Sequence, residues 1–294
     1  MGSLLTYSGL TTKVRSMKSR LLTEGQYREL AGFDTVSSAV DYLKKFPSYQ
    51  PFLSGKDGSS LHRGKIEELL LQSKYQDFSK IYRFASLPQR KFLDLYFMHY
   101  EIAKLKRCLR GVIANHPLEI DFSLFQEFFD RHSSLDLIKL SSSGDITQFI
   151  GNLAGSPYYD TMARLSRQEN TSLFDYEMNL DMLYFKTMWK AKDSGLKKNE
   201  QEALTQCFGN RLDMLNIQWI YRCIQYYHMT SSEIYALLIP IQNRLKPDQL
   251  YALANAENTD AFFQILQHTY YGNLNLTANS SLPDPEALAR QVLN

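Results

Sequence analysis

The sequence lacks the features that mark several large classes of protein. It has only three cysteines, Cys108, Cys207 and Cys223, and no CxxC spacing, which argues against a disulfide framework and a zinc site. Its most apolar stretch, IYALLIPI at 234–241, is too short to cross a bilayer, and no apolar run of signal-peptide length opens the chain. The net charge of +2 gives no strong field toward nucleic acid or an anionic membrane. We therefore expect a protein of a reducing compartment that is soluble or at most peripheral.

Sequence motifs of common catalytic sites are missing as well. The patterns GxxxxGK[ST], GxGxxG, HExxH and GxSxG do not occur, and no two of the six histidines are four residues apart. Neighbouring carboxylates, such as Glu67 with Glu68 and Asp175 with Glu177, are typical of a solvated helix face. We expect no catalytic residue, no cofactor, no metal and no small-molecule substrate.

What the sequence does contain is helical periodicity. The segment FLDLYFMHYEIAKLKRCLRGVI at 92–113 keeps an apolar stripe for about six turns. Runs that alternate apolar and polar residues are absent. Thr23 with Gln26 and Thr230 with Glu233 have the spacing of capping boxes, and Asp121 can cap a further helix. The sequence predicts an all-α protein.

A short pattern recurs three times, and we call it the Leu-to-Tyr corner. It has an apolar pair, a leucine, a few small or polar residues and then tyrosine, in DYLKKFPSYQ at 41–50, ITQFIGNLAGSPYYDTM at 146–162 and TDAFFQILQHTYYGNL at 259–274. The leucines are Leu43, Leu153 and Leu266, separated by 110 and 113 residues.

A second match supports a repeat with this period. At an offset of 115, EIAKLKRCLR at 101–110 and NIQWIYRCIQ at 216–225 share an isoleucine, an arginine and a cysteine. Such self-similarity predicts three like helical units that bury the same apolar faces. The predicted boundaries are 4–55, which lacks its leading helix, 62–165 and 172–276, followed by a C-terminal tail at 277–294.

Basic residues cluster on two helices that the repeat makes equivalent. One set is Lys13, Arg15, Lys18 and Arg20, and the other is Lys104, Lys106, Arg107 and Arg110. Three interpretations stay open here: a solvated helix face, a phosphate contact, or equivalent faces that meet one acidic partner.

Taken in order, these segments resemble the C subunit of the archaeal and bacterial V/A-type rotary ATPases, the counterpart of the eukaryotic d subunit. The resemblance covers nearly the whole chain. One family pattern is met by Tyr7, Arg15, Met17, Leu21 and Leu22, and another by Asp213, Asn216, Ile217 and Arg222. The chain departs from the family at 101–104, where Glu-Ile-Ala-Lys replaces the frequent Asp-Ile-x-Asn.

The resemblance implies three helical units around a pseudo-threefold axis, which form a funnel. Its wide face would rest on the membrane proteolipid ring, and its cavity would receive the central shaft. A protein of this family catalyses nothing itself and couples the shaft to the ring for proton or sodium transport, at the cytoplasmic membrane face. If the second helix of each unit faces the cavity, the candidate contacts with the shaft are Arg15, Lys18, Lys106, Arg107 and Arg222. Asp213 and Asn216 are expected to be helix-packing residues instead.

Other functions remain as alternatives. A helical-repeat adaptor in another assembly is the first, although such adaptors have repeats of about 34 to 47 residues. A helical enzyme is disfavoured by the missing ligand patterns. Nucleic-acid binding comes last, because a nearly neutral chain has little affinity for phosphates.

Overall fold

The computed structural model describes residues 2–115 and 125–274, with side chains from residue 6 onward. All regular secondary structure in these residues is helical, which confirms the predicted all-α class. The chain divides into two compact units, Met1–Leu173 and Phe174–Asn294. The three-unit boundaries and the funnel stay a prediction. The predicted cap at Asp121 and the tail at 277–294 lie outside the described residues.

The first unit contains ten of the described helices. They are α1 Gly2–Lys18, α2 Glu24–Ala31, α3 Val36–Leu43, α4 Gln50–Leu53, α5 Arg63–Phe84, α6 Leu87–Ile113, α7 Gln126–His132, α8 Leu137–Ser141, α9 Ile146–Gly151 and α10 Tyr159–Leu165. The long helices α5 and α6 form its framework: α1 and α4 pack on α5, and α8 and α9 pack on α6.

An aromatic cluster lies between α5, α6 and α7. The rings of Tyr75 and Phe128 stack with centroids 4.4 Å apart. Phe97, Tyr100 and Phe129 surround this pair, mostly in edge or tilted contacts. Such arrangements suit the ring quadrupoles and add to the free energy gained by burial. A separate apolar cluster, with Leu43, Leu53 and Leu69 among its members, fixes α3 and α4 against α5.

The second unit contains the six remaining described α-helices. They are α11 Leu173–Ala191, which begins one residue before the unit boundary, α12 Lys198–Leu204, α13 Asn210–Arg222, α14 Ser231–Leu237, α15 Pro247–Ala254 and α16 Thr259–Gln267. A short π-helix, Thr205–Gly209, joins α12 to α13, and a second one, Cys223–Tyr227, follows α13. The buried face of α13 packs on α15, with Ile217, Ile220 and Leu253 fully enclosed.

The start of each corner helix is fixed by the same kind of cap. A side-chain oxygen of Thr35, Asp145 or Asn258 accepts a hydrogen bond from the backbone N–H three residues later, at 2.7–3.1 Å. These caps satisfy an amide that the helix itself leaves without a partner. The corner leucines at positions 43, 153 and 266 are all buried. The predicted capping boxes at Thr23 and Thr230 are also confirmed.

Candidate partner interface

Two of the predicted contact residues, Arg15 and Lys18, lie in the last turn of α1 and are exposed. Basic side chains at this end of a helix interact favourably with the helix dipole. No carboxylate in the described part of the chain lies within ion-pair distance of either side chain. Both charges are therefore available to a partner.

The two candidates on α6 differ from those on α1. Arg107 donates from Nη1 to Oε1 of Glu68 on α5, at 2.9 Å. Lys65 also approaches Glu68, at 3.7 Å. Lys106 is half-buried and has interactions of its own. The charge of Arg107 is thus already balanced within the first unit.

Lys104 does not fit any of the three interpretations of the basic set on α6, because all of them require an exposed side chain. Its relative exposure is only 4%, and its ammonium group lies 3.5 Å from the centroid of the Phe125 ring. Burial, helped by the nearby Arg107, lowers the pKa of Lys104 to about 8. The interaction with the ring offsets part of the cost of removing this cation from water. Lys104 therefore belongs to the interior of the first unit.

The fifth candidate, Arg222, ends α13 in the second unit and is exposed. It directly precedes the short π-helix Cys223–Tyr227, in which Tyr226 and Tyr227 are exposed as well. No ion-pair partner of Arg222 is found among the described side chains. Within its own unit, Arg222 has no second predicted contact residue beside it.

A buried polar network around Asp213 was not anticipated from the sequence. The Oδ2 atom of Asp213 accepts hydrogen bonds from the Tyr271 hydroxyl at 2.6 Å and from the Arg244 N–H at 2.8 Å. The Leu245 N–H and the Asn243 side chain donate to the same oxygen. Burial raises the pKa of Asp213, although these hydrogen bonds act in the opposite direction. The network fixes the loop at 243–245 and the last corner to α13.

Asn216 lies one turn further along α13 and is also fully buried. Its side chain donates to the Ile239 carbonyl at 3.1 Å and accepts from the Ile239 N–H at 2.8 Å. The amide thus pairs with a backbone segment that follows α14, much as a neighbouring strand would. Asp213 and Asn216 act as packing residues, as expected.

The first unit repeats the pairing of tyrosine with carboxylate. The Tyr158 hydroxyl donates to Oε2 of Glu101 at 2.5 Å, and Ser133 donates to the other oxygen of this carboxylate. Burial raises the pKa of Glu101. Within the repeat predicted from the sequence, this pair suggests that Glu101 corresponds to Asp213 at an offset of 112, three residues less than the offset at which Ile102 matches Ile217.

The first corner lacks this pair. Ser48 lies five residues after its leucine, where Tyr158 and Tyr271 follow theirs, and its hydroxyl donates to the Arg20 carbonyl at 3.0 Å. Residues 1–23 contain neither aspartate nor glutamate. The unit whose first helix has no carboxylate is therefore also the unit whose corner has no tyrosine at this position. This correlation is a signal in the sequence that could have revealed the pairing.

An open cavity of about 490 Å³ runs beside α1. It is lined by Ser8, Gly9, Thr12, Lys13, Ser16 and Phe84. Within residues 2–115 and 125–274, no three His, Cys, Asp or Glu side chains are grouped so as to hold a metal ion. Over the same residues, no helix has the length and apolar character needed to span a membrane.

Comparisons with known proteins agree with the resemblance seen in the sequence. The profile of the family described as ATP synthase (C/AC39) subunit matches residues 10–293. A protein of Methanosarcina mazei, named as the C subunit of an A-type ATP synthase, is 24% identical over 269 residues, covering 90% of this chain and 71% of the relative. One of the same name from Pyrococcus horikoshii is 23% identical over 295 residues, covering 98% of this chain and 76% of the relative.

The matched part spans less of some relatives. In the protein of that name from Methanococcoides burtonii, 25% identity over 224 residues covers 75% of this chain and 60% of the relative. The family profile nevertheless covers the corners, the two long helices and both carboxylate–tyrosine pairs. The chain belongs to the ATP synthase (C/AC39) subunit family.

Proposed function

We propose that this chain is a non-catalytic central-stalk subunit of a V/A-type rotary ATPase. In this role it couples the rotating shaft to the membrane proteolipid ring, and so takes part in proton or sodium transport. It would sit peripherally at the cytoplasmic membrane face. The observation that carries the proposal is the family match over residues 10–293, together with relatives named as the C subunit of A-type ATP synthases.

The internal bonds of the structure support a mechanical role. A coupling must resist shear between its helices, and close-packed interiors with satisfied polar groups deform little. The Tyr158–Glu101 and Tyr271–Asp213 bonds each join segments more than 55 residues apart. Each ties a corner to a helix of the same unit, so the helix cannot shift along its axis without breaking a buried bond.

Contact with the partners is assigned to the exposed cations. Arg15, Lys18 and Arg222 are exposed and have no ion-pair partner among the described side chains. Lys106 and Arg107 contribute less, because Arg107 already pairs with Glu68. The helical-repeat adaptor is less favoured, since the family match names a different assembly.

The direct test is to recover the complex from the native host through a C-terminal tag, in mild detergent, and to weigh it by native mass spectrometry. We expect one copy of the chain bound to a protein of the shaft and a proteolipid ring. Recovery of the chain alone, or with soluble partners only, would contradict the proposed function and favour the helical-repeat adaptor.

A charge-reversed variant tests the contact residues in the same preparation. Arg15→Glu together with Lys18→Glu should lower the recovery of the shaft protein several-fold. Lys74→Glu is the matched control, because Lys74 is an exposed helical lysine outside the predicted set. Equal recovery from all three chains would remove α1 from the interface.

A further inference from the structure

The second unit carries a lysine-rich surface where α11 ends and the chain continues into α12. Between residues 186 and 200 the sequence holds five lysines, and the carboxylates there are those of Asp193 and Glu200. The chain as a whole is nearly neutral, with a net charge of +2, so this excess of positive charge is local. The five lysines, which we call the lysine patch, are Lys186, Lys190, Lys192, Lys197 and Lys198.

Helical geometry turns the first two of these lysines away from the core. Tyr184 and Met188 are buried, and each is followed after two residues by a lysine, which lies about 200° further around the helix. Both of these lysines, Lys186 and Lys190, are exposed. The other three follow in a compact turn, in which the N–H groups of residues 192–194 donate to carbonyls three residues earlier at 3.1–3.2 Å. The lysine patch is therefore one short, folded segment of the surface.

The charges of the lysine patch are not balanced within the described part of the chain. No carboxylate there lies within ion-pair distance of any of the five lysines. Glu200 instead accepts a hydrogen bond from the backbone N–H of Lys197 at 2.8 Å. Lys197 and Lys198 also stand at the start of α12, where the helix dipole disfavours positive charge. Cations that the fold itself does not need indicate a ligand outside this chain.

An indole ring lies within the same patch. Trp189 is half-buried, and the ammonium group of Lys192 lies 4.2 Å from its ring centroid. Indole rings are favoured at the boundary between water and lipid, because they combine a large apolar surface with a polar N–H group. Leu196, which is also half-buried, adds an apolar side chain to the turn. Ammonium groups around an indole match the chemistry of a headgroup layer, in which phosphates lie above the acyl chains.

We propose that the lysine patch binds the anionic lipid headgroups of a membrane surface. Clusters of about four to eight cations are typical of such contacts, and lysine suits them because its flexible ammonium group needs no fixed geometry. An acidic protein fits less well, since protein interfaces are enriched in arginine and depleted in lysine. Single-stranded nucleic acid stacks its bases on free aromatic rings, whereas Trp189 is half-buried with Lys192 already against its ring. The inference rests on the proposed function in one respect: that function brings the chain to a membrane face.

Co-sedimentation of the full chain with lipid vesicles tests this binding directly. We expect the chain to bind vesicles made of equal parts of phosphatidylglycerol and phosphatidylcholine, and not to bind vesicles of phosphatidylcholine alone. Raising the ionic strength should release it, because the contact is electrostatic. Each cation strengthens such binding by about five-fold, so Lys186→Gln with Lys190→Gln should weaken it by about twenty-fold. Lys74→Gln with Lys91→Gln, which removes two exposed lysines of the first unit, is the matched control and should bind as the wild type does.

Tryptophan fluorescence shows which surface meets the lipid. The chain has two tryptophans, Trp189 in the lysine patch and Trp219 in α13. In the variant Trp219→Phe, binding to the anionic vesicles should shift the Trp189 emission to shorter wavelength, and lipids with brominated acyl chains should quench it. The variant Trp189→Phe leaves Trp219 as the reporter, and its emission should not change. Vesicle binding without a response from Trp189, or equal binding by the wild type and the Lys186→Gln, Lys190→Gln variant, would overturn the proposal.

The vesicle assay and the recovery of the complex decide separate questions. If the chain does not bind anionic vesicles but ATPase subunits co-purify with it, only the lipid site is refuted. If the chain binds these vesicles through the surface around Trp189 but no ATPase subunit is recovered, the lipid site stands and the proposed function fails. If the Lys186→Gln, Lys190→Gln variant loses a protein partner while its vesicle binding is unchanged, the lysine patch is a protein interface and the lipid site is refuted.

Discussion

The hydroxyl of Tyr271 donates a 2.6 Å hydrogen bond to Oδ2 of Asp213, which lies 58 residues earlier in the chain. Both groups are almost completely buried. Hydrogen-bond donors offset the cost of burying a carboxyl group, and here four groups donate to Oδ2, while Oδ1 is buried without a hydrogen-bond partner. The bond therefore fixes the last corner to α13, as the bond from Tyr158 to Glu101 fixes the preceding corner to α6.

Replacing Tyr271 should show how much its hydrogen bond contributes to the free energy of unfolding. We expect Tyr271→Phe to lower the free energy of unfolding by about 1–3 kcal/mol, because the buried carboxylate loses a donor. Urea denaturation followed by circular dichroism measures the change. Tyr270→Phe is the control, because Tyr270 is exposed and lies under Arg244. This substitution should change the free energy of unfolding by no more than about 0.5 kcal/mol. Equal effects at both positions would show that the hydrogen bond is not the source.

The helical class and the capped starts could be predicted from the sequence, because periodicity and caps are local signals. The repeat register could not. The offset of 115 that matches Ile102 with Ile217 and the offset of 112 between Glu101 and Asp213 differ by three residues, which is nearly one helical turn. A shift of one turn leaves the apolar face in place, so helical periodicity does not choose between the two offsets. The hydrogen bonds from Tyr158 to Glu101 and from Tyr271 to Asp213 favour the offset of 112.

Lys104 shows a second limit of the sequence. A lysine beside Lys106 and Arg107 is typical of an exposed helix face, and composition alone favours that interpretation. The position lies four residues before the buried Cys108, however, and the rings of Tyr75 and Phe125 approach it from elsewhere in the chain. Contacts between such distant residues are set by tertiary packing, which helical periodicity does not describe.

Gly209 is required by the close approach of Asn243. A Cβ at this position would lie 2.6 Å from Cγ of Asn243, whose amide donates to Asn210 and to Asp213. Gly209→Ala should displace Asn243 and lower the unfolding free energy by about 1 kcal/mol or more, even after the gain in helix propensity. Gly151→Ala is the control, since a Cβ there meets no atom within 4 Å. It should be neutral or stabilising by up to about 1 kcal/mol, and a similar loss at both positions would contradict the steric explanation.

The Asn216 side chain should protect one particular backbone amide. Its carbonyl oxygen accepts from the Ile239 N–H, and its NH₂ donates to the Ile239 carbonyl. Asn216→Ala leaves both buried groups without this partner, so we expect a loss of about 2–3 kcal/mol and faster hydrogen exchange at Ile239. Hydrogen-exchange mass spectrometry checks the site. In the control Asn255→Ala, only an exposed bond to the Tyr251 carbonyl is lost, and exchange at Ile239 should not change.

Lys104 should make stability depend on pH in the alkaline range. Its pKa of about 8 in the folded chain lies below the ordinary value for lysine, near 10.4. Between these values the unfolded state binds more protons, so the free energy of unfolding rises with pH across this window. The gain on going from pH 7 to pH 10 should be on the order of 2–3 kcal/mol relative to Lys104→Met, which lacks the group. Urea denaturation of both chains at each pH measures this difference.

The exposed Lys74 supplies the matched control for this titration. Lys74→Met should follow the wild-type pH profile within about 0.5 kcal/mol, because Lys74 is an exposed residue and substitutions at such positions change stability little. Lys104→Met should also be as stable as the wild type at pH 7 or more so, since an apolar side chain of similar length replaces a buried cation. A Lys104→Met profile parallel to that of the wild type would mean that the ammonium group is solvated in the folded chain, which would contradict its burial beside the Phe125 ring.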